Sequence, residues 1–88
     1  MAERTVRVVN RNGVHARPAA EIVKTAARYR SEITLRRDDL EVNGKSIMGV
    51  MMLAAEQGAT LTVRAKGPDE DAAVDAIVQL VDGGFGER

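Results

Sequence analysis

Across Gly67-Pro68 the chain changes its periodicity. Upstream, "TLTVRAK" (Thr60 to Lys66) alternates, with Leu61, Val63 and Ala65 facing one way, the period of a half-buried strand. Downstream, "DEDAAVDAIVQLVDG" repeats Val74, Ile77, Val78 and Val81 at helical spacing. Asp69, Glu70 and Asp71 suit the positive start of that helix, and Gly83 or Gly84 can end it. A strand running straight into an amphipathic helix needs a second layer to cover both apolar faces. The rest of the chain has to supply it.

The upstream segments alternate in the same way. "TVRVV" (Thr5 to Val9) reads as a strand that Asn12-Gly13 breaks. From Ala16 to about Tyr29 the pattern is helical, with Ala19, Ile22, Val23, Ala26 and Ala27 on one stripe. Pro18 is tolerated only in a first turn, so this helix begins close to His15. "EITLR" places Ile33 and Leu35 on one face, "DD" at 38 and 39 turns the chain, and "LEV" places Leu40 and Val42 on one face. "SIMGVMMLAA" (Ser46 to Ala55) is apolar on nearly every side. Ser46 as N-cap and the Met, Leu and Ala content favour a short helix, against Gly49. Val50 and Leu53 are its expected core residues, which leaves Ile47, Met48, Met51 and Met52 too numerous to bury.

The order β-α-β-β-α-β-α gives four short strands with one buried face. A right-handed crossover from the first strand to the second leaves a gap that the fourth can fill. The expectation is an open-faced α/β sandwich in a single domain spanning residues 1–88.

Composition excludes several function classes. Thirteen basic and thirteen acidic residues give zero formal net charge, and Tyr29 and Phe85 are the only aromatics. Nucleic-acid binding would want a basic excess or stacking platforms. There is no cysteine and one histidine, so neither disulfides nor a metal set is expected. No apolar run reaches the roughly 20 residues of a membrane span, and "MAERTVRVVN" has no signal-peptide hydrophobic region. A cytoplasmic protein without a cofactor, and without membrane insertion, is the expectation.

The single histidine, His15, stands at the start of the first helix, two residues before Arg17. By position alone it can be a plain surface or capping residue. The first N–H groups of a helix nevertheless lack partners and carry the positive end of the helix dipole, an arrangement that suits phosphate. The same positive end favours a neutral, nucleophilic imidazole. The amides of Ala16 and Arg17, with the Arg17 guanidinium, can receive phosphoryl charge, whereas Pro18 cannot donate. No Walker-type loop is present, so a phosphoryl group would have to come from another protein.

"NGVHARPAA" followed by "KSIMGVMML" resembles the histidine-containing phosphocarrier family, HPr, of the bacterial phosphoenolpyruvate:sugar phosphotransferase system. The resemblance extends over essentially the whole chain. It implies an α+β fold, an open-faced β-sandwich whose four-stranded antiparallel sheet has the order 1-4-2-3 and is covered on one face by three helices. It implies that His15 is phosphorylated on Nδ1 by phosphorylated enzyme I, that Arg17 steadies the phosphoryl group, and that enzyme IIA domains receive it. It also implies that Ser46 is a regulatory serine, phosphorylated by HPr kinase/phosphorylase where that enzyme exists. The chain would then be a substrate of enzymes and not itself an enzyme.

A docking surface is expected at Ile47, Met48 and Met51, with Lys24 beside it. Arg11, Arg28 and Lys45 are further candidates for a basic rim facing acidic partners. Two other uses fit the same residues: a regulatory binding module controlled through Ser46 without sugar transport, and a nitrogen-related phosphotransferase branch. The tail "GGFGER" departs from several members, and no role is assigned to Phe85 or Glu87.

Overall fold

The structure, a computed structural model, describes residues 1–87. Its elements are β1 (Ala2–Arg7), α1 (Ala16–Ala27), β2 (Glu32–Arg37), β3 (Leu40–Asn43), α2 (Ile47–Met52), β4 (Thr60–Lys66) and α3 (Glu70–Asp82), followed by a 3-10 turn at Gly84–Gly86. The strands form one antiparallel sheet in the order β1-β4-β2-β3. Antiparallel pairing on both sides of β4 makes β1 and β2 parallel but not adjacent, as the expected crossover requires.

The buried face of the sheet carries Val6, Ile33, Leu35, Val42, Leu61, Val63 and Ala65. Against it pack Ile22 and Ala26 of α1, Val50 of α2, and Val74, Ile77, Val78 and Val81 of α3. Each fully buried aliphatic side chain contributes about 1.5–3 kcal/mol. The other face of the sheet is left open. There Arg64 of β4 pairs with Glu3 at 2.8 Å and Glu41 at 3.5 Å.

Three boundaries differ from the sequence expectation, each for a local reason. β1 starts at Ala2 and not Thr5, because Arg4, on the helix-facing side between Ala2 and Val6, reaches Asp75 of α3 at 2.6 Å instead of breaking the strand. Past Arg7 the ladder turns irregular: the Val8 amide donates to Ala59 and the Val8 carbonyl accepts from Gly58, while Val9 is exposed. α1 stops at Ala27, since the amides of Arg28 and Tyr29 turn back to the Thr25 and Ala26 carbonyls and tighten the last turn. Ala27 is accordingly exposed, and so is Leu40 at the end of its short edge strand.

Asp69 is the N-cap residue of α3, yet its carboxylate does not cap that helix. It accepts from the amides of Arg30 (2.9 Å) and Ser31 (3.0 Å) and from the Ser31 hydroxyl (2.6 Å). This fastens the start of α3 to the entry of β2. The hydrogen bond from Ser31, then that from the Arg30 amide, holds the Asp69 pKa down at about 2.

Candidate functional site

Gly13 sets the entry to α1. It has φ of +66°, and a Cβ there would overlap the Ala55 carbonyl. The Val14 amide donates to that same carbonyl at 2.8 Å. The loop before α1 is therefore pinned to the segment after α2. His15 follows as the N-cap residue, with an extended backbone (φ −89°, ψ −166°) and a side chain that does not bond its own helix. The Ala19 amide makes the first helical hydrogen bond, to the His15 carbonyl at 2.9 Å. That leaves the amides of Ala16 and Arg17 ahead of the first helical bond, and Pro18 occupies a first-turn position where a missing N–H costs little. The His15 side chain is 40% exposed.

The site contains a residue that the sequence did not suggest. Glu87 lies with both carboxylate oxygens facing His15 Nε2, at 3.3 and 3.2 Å. Arg17 donates to the same carboxylate from Nε (3.1 Å) and Nη2 (2.8 Å), and its Nη2 also reaches the Phe85 carbonyl at 3.2 Å. Asn10 donates from Nδ2 to Glu87 Oε1 at 3.0 Å and to the Gly13 carbonyl at 2.7 Å. The tail reaches this place because Phe85 is buried in the core as an anchor. Around it Gly84, Phe85 and Gly86 all take positive φ, which turns the chain back towards α1. An aromatic residue between glycines and just ahead of an acid, "GFGE", was the available signal.

The Glu87 side chain is 17% exposed. Burial pushes its pKa up, but the hydrogen bonds from Asn10, Arg17 and His15 outweigh burial and hold it below the ordinary carboxylate range. Glu87 is thus an anion at neutral pH. The cluster is an anion site at a helix start, filled by the chain's own carboxylate, and an incoming anionic group would compete with Glu87 for Arg17.

Ser46 is the N-cap residue of α2, its Oγ accepting from the Gly49 amide at 3.1 Å. Val50 and Leu53 are buried as expected, while Ile47, Met48, Met51 and Met52 are all exposed, Met48 by 72% and Met52 by 64%. Such an apolar surface is typical of an interaction site. Lys24, Arg28 and Arg11 are exposed, but Lys45 is tied back, its Nζ donating to the Tyr29 carbonyl at 2.7 Å. Among the described residues no group of three or more His, Asp or Glu side chains is placed to hold a metal ion, and no helix is long and apolar enough to cross a membrane.

Residues 2–82 match the family model described as "PTS HPr component phosphorylation site". The chain belongs to the HPr family. It is 55% identical over 88 residues to the phosphocarrier protein HPr of Treponema pallidum, covering 100% of both chains. An HPr from Neisseria meningitidis is 40% identical over 87 residues, with 99% of this chain and 98% of the relative covered. Among solved structures, HPr from Thermoanaerobacter tengcongensis superposes with a TM-score of 0.96 at 44% identity, over 100% of this chain and 99% of that one. The expected HPr fold is therefore present, with its 1-4-2-3 sheet and three helices. Membership in HPr makes the chain a phosphocarrier protein of the phosphotransferase system.

Proposed function

We propose that His15 is the phosphoryl acceptor of this HPr, charged by phosphorylated enzyme I and discharged to enzyme IIA domains, within one carrier domain spanning residues 1–88. The observation that carries the reading is the clamp on Glu87. In it a half-exposed imidazole and an arginine, both at the start of α1, converge on one anion. In transfer, the Nδ1 lone pair of His15 forms the N–P bond as the bond to the donor breaks, and the donor keeps that electron pair. Arg17 then has two anions within reach, and a phosphoryl group with nearly two negative charges competes better for the guanidinium than one carboxylate does. The amides of Ala16 and Arg17 add donors that carry no charge cost.

Ile47, Met48 and Met51 supply the adaptable apolar contact that successive partners need, with Lys24 as a basic neighbour. Ser46 is the proposed target of HPr kinase/phosphorylase. Phosphate on its oxygen adds about −1.5 to −2 charge beside that apolar surface. It weakens docking by repelling acidic partners and leaves the fold standing.

Incubation with enzyme I and phosphoenolpyruvate should load acid-labile phosphate on the parent protein and none on His15→Ala, with the circular dichroism of both alike. Failure of the parent to take up phosphate would overturn the carrier reading. With ATP and the kinase, Ser46→Ala should stay unmodified.

A further inference from the structure

We propose that Asn10 is a positioning residue for the phosphoryl acceptor: by holding Glu87 against His15 Nε2, it fixes the proton there and leaves Nδ1 as the free nucleophile. The inference rests on the phosphocarrier reading of His15 and adds a residue to it.

Asn10 is 3% exposed, with Ser31 one of two buried polar residues among those described, beside a core that is aliphatic apart from Phe85. Both partners of its side chain, the Gly13 carbonyl and the Glu87 carboxylate, are pure acceptors. The NH2 end of the amide must therefore face them, which settles its orientation. The cost is visible at the other end. Asn10 Oδ1 is buried and has no hydrogen-bond partner among the described residues. An unsatisfied buried acceptor destabilises a fold. Stability alone does not explain an amide here, whereas its two donor bonds do something specific. One grips the turn that leads into His15, and the other grips the carboxylate that faces the ring, so the loop before α1 and the segment after α3 share a single support.

The consequence for the imidazole follows from charge and hydrogen count. Glu87 is ionised at neutral pH and can only accept. A neutral His15 facing it must carry its hydrogen on Nε2. Nδ1, which makes no hydrogen bond among the described residues, then keeps its lone pair. This is the protonation state in which Nδ1 can attack phosphorus without first losing a proton. Carboxylate–imidazole pairs elsewhere orient a reacting ring by the same logic. Asn10 does not touch the reacting atoms, and its effect passes through Glu87.

The test reads the ring directly. Long-range proton–nitrogen NMR spectra of 15N-histidine protein, recorded well above the ordinary imidazole titration range, report which nitrogen carries hydrogen. The parent should show a single Nε2–H tautomer. Asn10→Ala and Glu87→Gln should each give a mixture of tautomers, and the double variant should go no further than Glu87→Gln alone. Asn10→Leu, which fills a similar volume with no donor and no buried unpaired oxygen, serves if Asn10→Ala does not fold. In phosphoryl transfer from enzyme I, the variants should lose about tenfold in kcat, inside the roughly 100-fold that a misplaced reacting group can cost. Their KM should stay unchanged, because the apolar docking surface is untouched. A parent with mixed tautomers, or Asn10 variants that keep the single tautomer of the parent, would overturn the proposal. A parent that accepts no phosphoryl group but shows the tautomer pattern would instead overturn the carrier reading.

Discussion

Two residues show how far a single position can be read in advance. His15 and Arg17 stood out because residue type, helix start and spacing all coincide in one short stretch. Glu87 did not, because its meaning depends on a tail that reverses through three positive-φ residues and meets Arg17 from 70 residues away. A local pattern such as "GFGE" marks a turn and an anchor, but not the distant residue that the tail returns to. Gly13 is a position where the backbone leaves no choice. Gly13→Ala forces a side chain into the left-handed region and against Ala55, and should cost about 1–3 kcal/mol as measured by urea denaturation. An unchanged midpoint would mean that the loop before α1 yields easily. Asp69 predicts a pH effect. Its folded pKa of about 2 lies below the ordinary 3.8, so its contribution is complete above 3.8 and is lost as pH falls towards about 2. Asp69→Asn should be less stable near neutrality and show a flatter fall in urea midpoint across that window.

Among the elements, those with a clean period were readable and those braced by distant groups were less so. β4 and α3 show their buried residues directly in the sequence, because each presents one apolar face to the same core. β1 and α1 were displaced at their ends by contacts that no period encodes, the Arg4–Asp75 pair and the tightened turn at Arg28. α2 is the most dependent element. At six residues it is too short to persist alone, and it is held by Ser46 at one end and by Arg37 at the other, which donates to the Leu53 carbonyl at 3.2 Å and the Ala54 carbonyl at 2.8 Å. Ser46→Ala should therefore cost about 0.5–2 kcal/mol through the lost cap, quite apart from any modification. Ser46→Asn, which restores a capping oxygen, should recover most of that in thermal unfolding. If Ser46→Ala unfolds at the parent temperature, the cap contributes nothing and Arg37 alone secures α2.

Taken as a molecule, the domain separates what holds it from what it offers. The core is a single layer between sheet and helices, aliphatic apart from Phe85, and Ile77, fully buried in it, is a fair gauge of it. Ile77→Ala should cost about 2–5 kcal/mol in a single cooperative transition. The same variant should leave phosphate uptake intact at temperatures where it is folded, because Ile77 makes none of the hydrogen bonds of the clamp. The clamp itself joins the start of α1 to a residue that follows α3. On a ribosome residue 87 emerges after every strand and helix, so the ring meets its carboxylate only once the last helix is free to dock. A cut between Phe85 and Glu87 would undo the same arrangement while the buried anchor at Phe85 stays on the core side of the break.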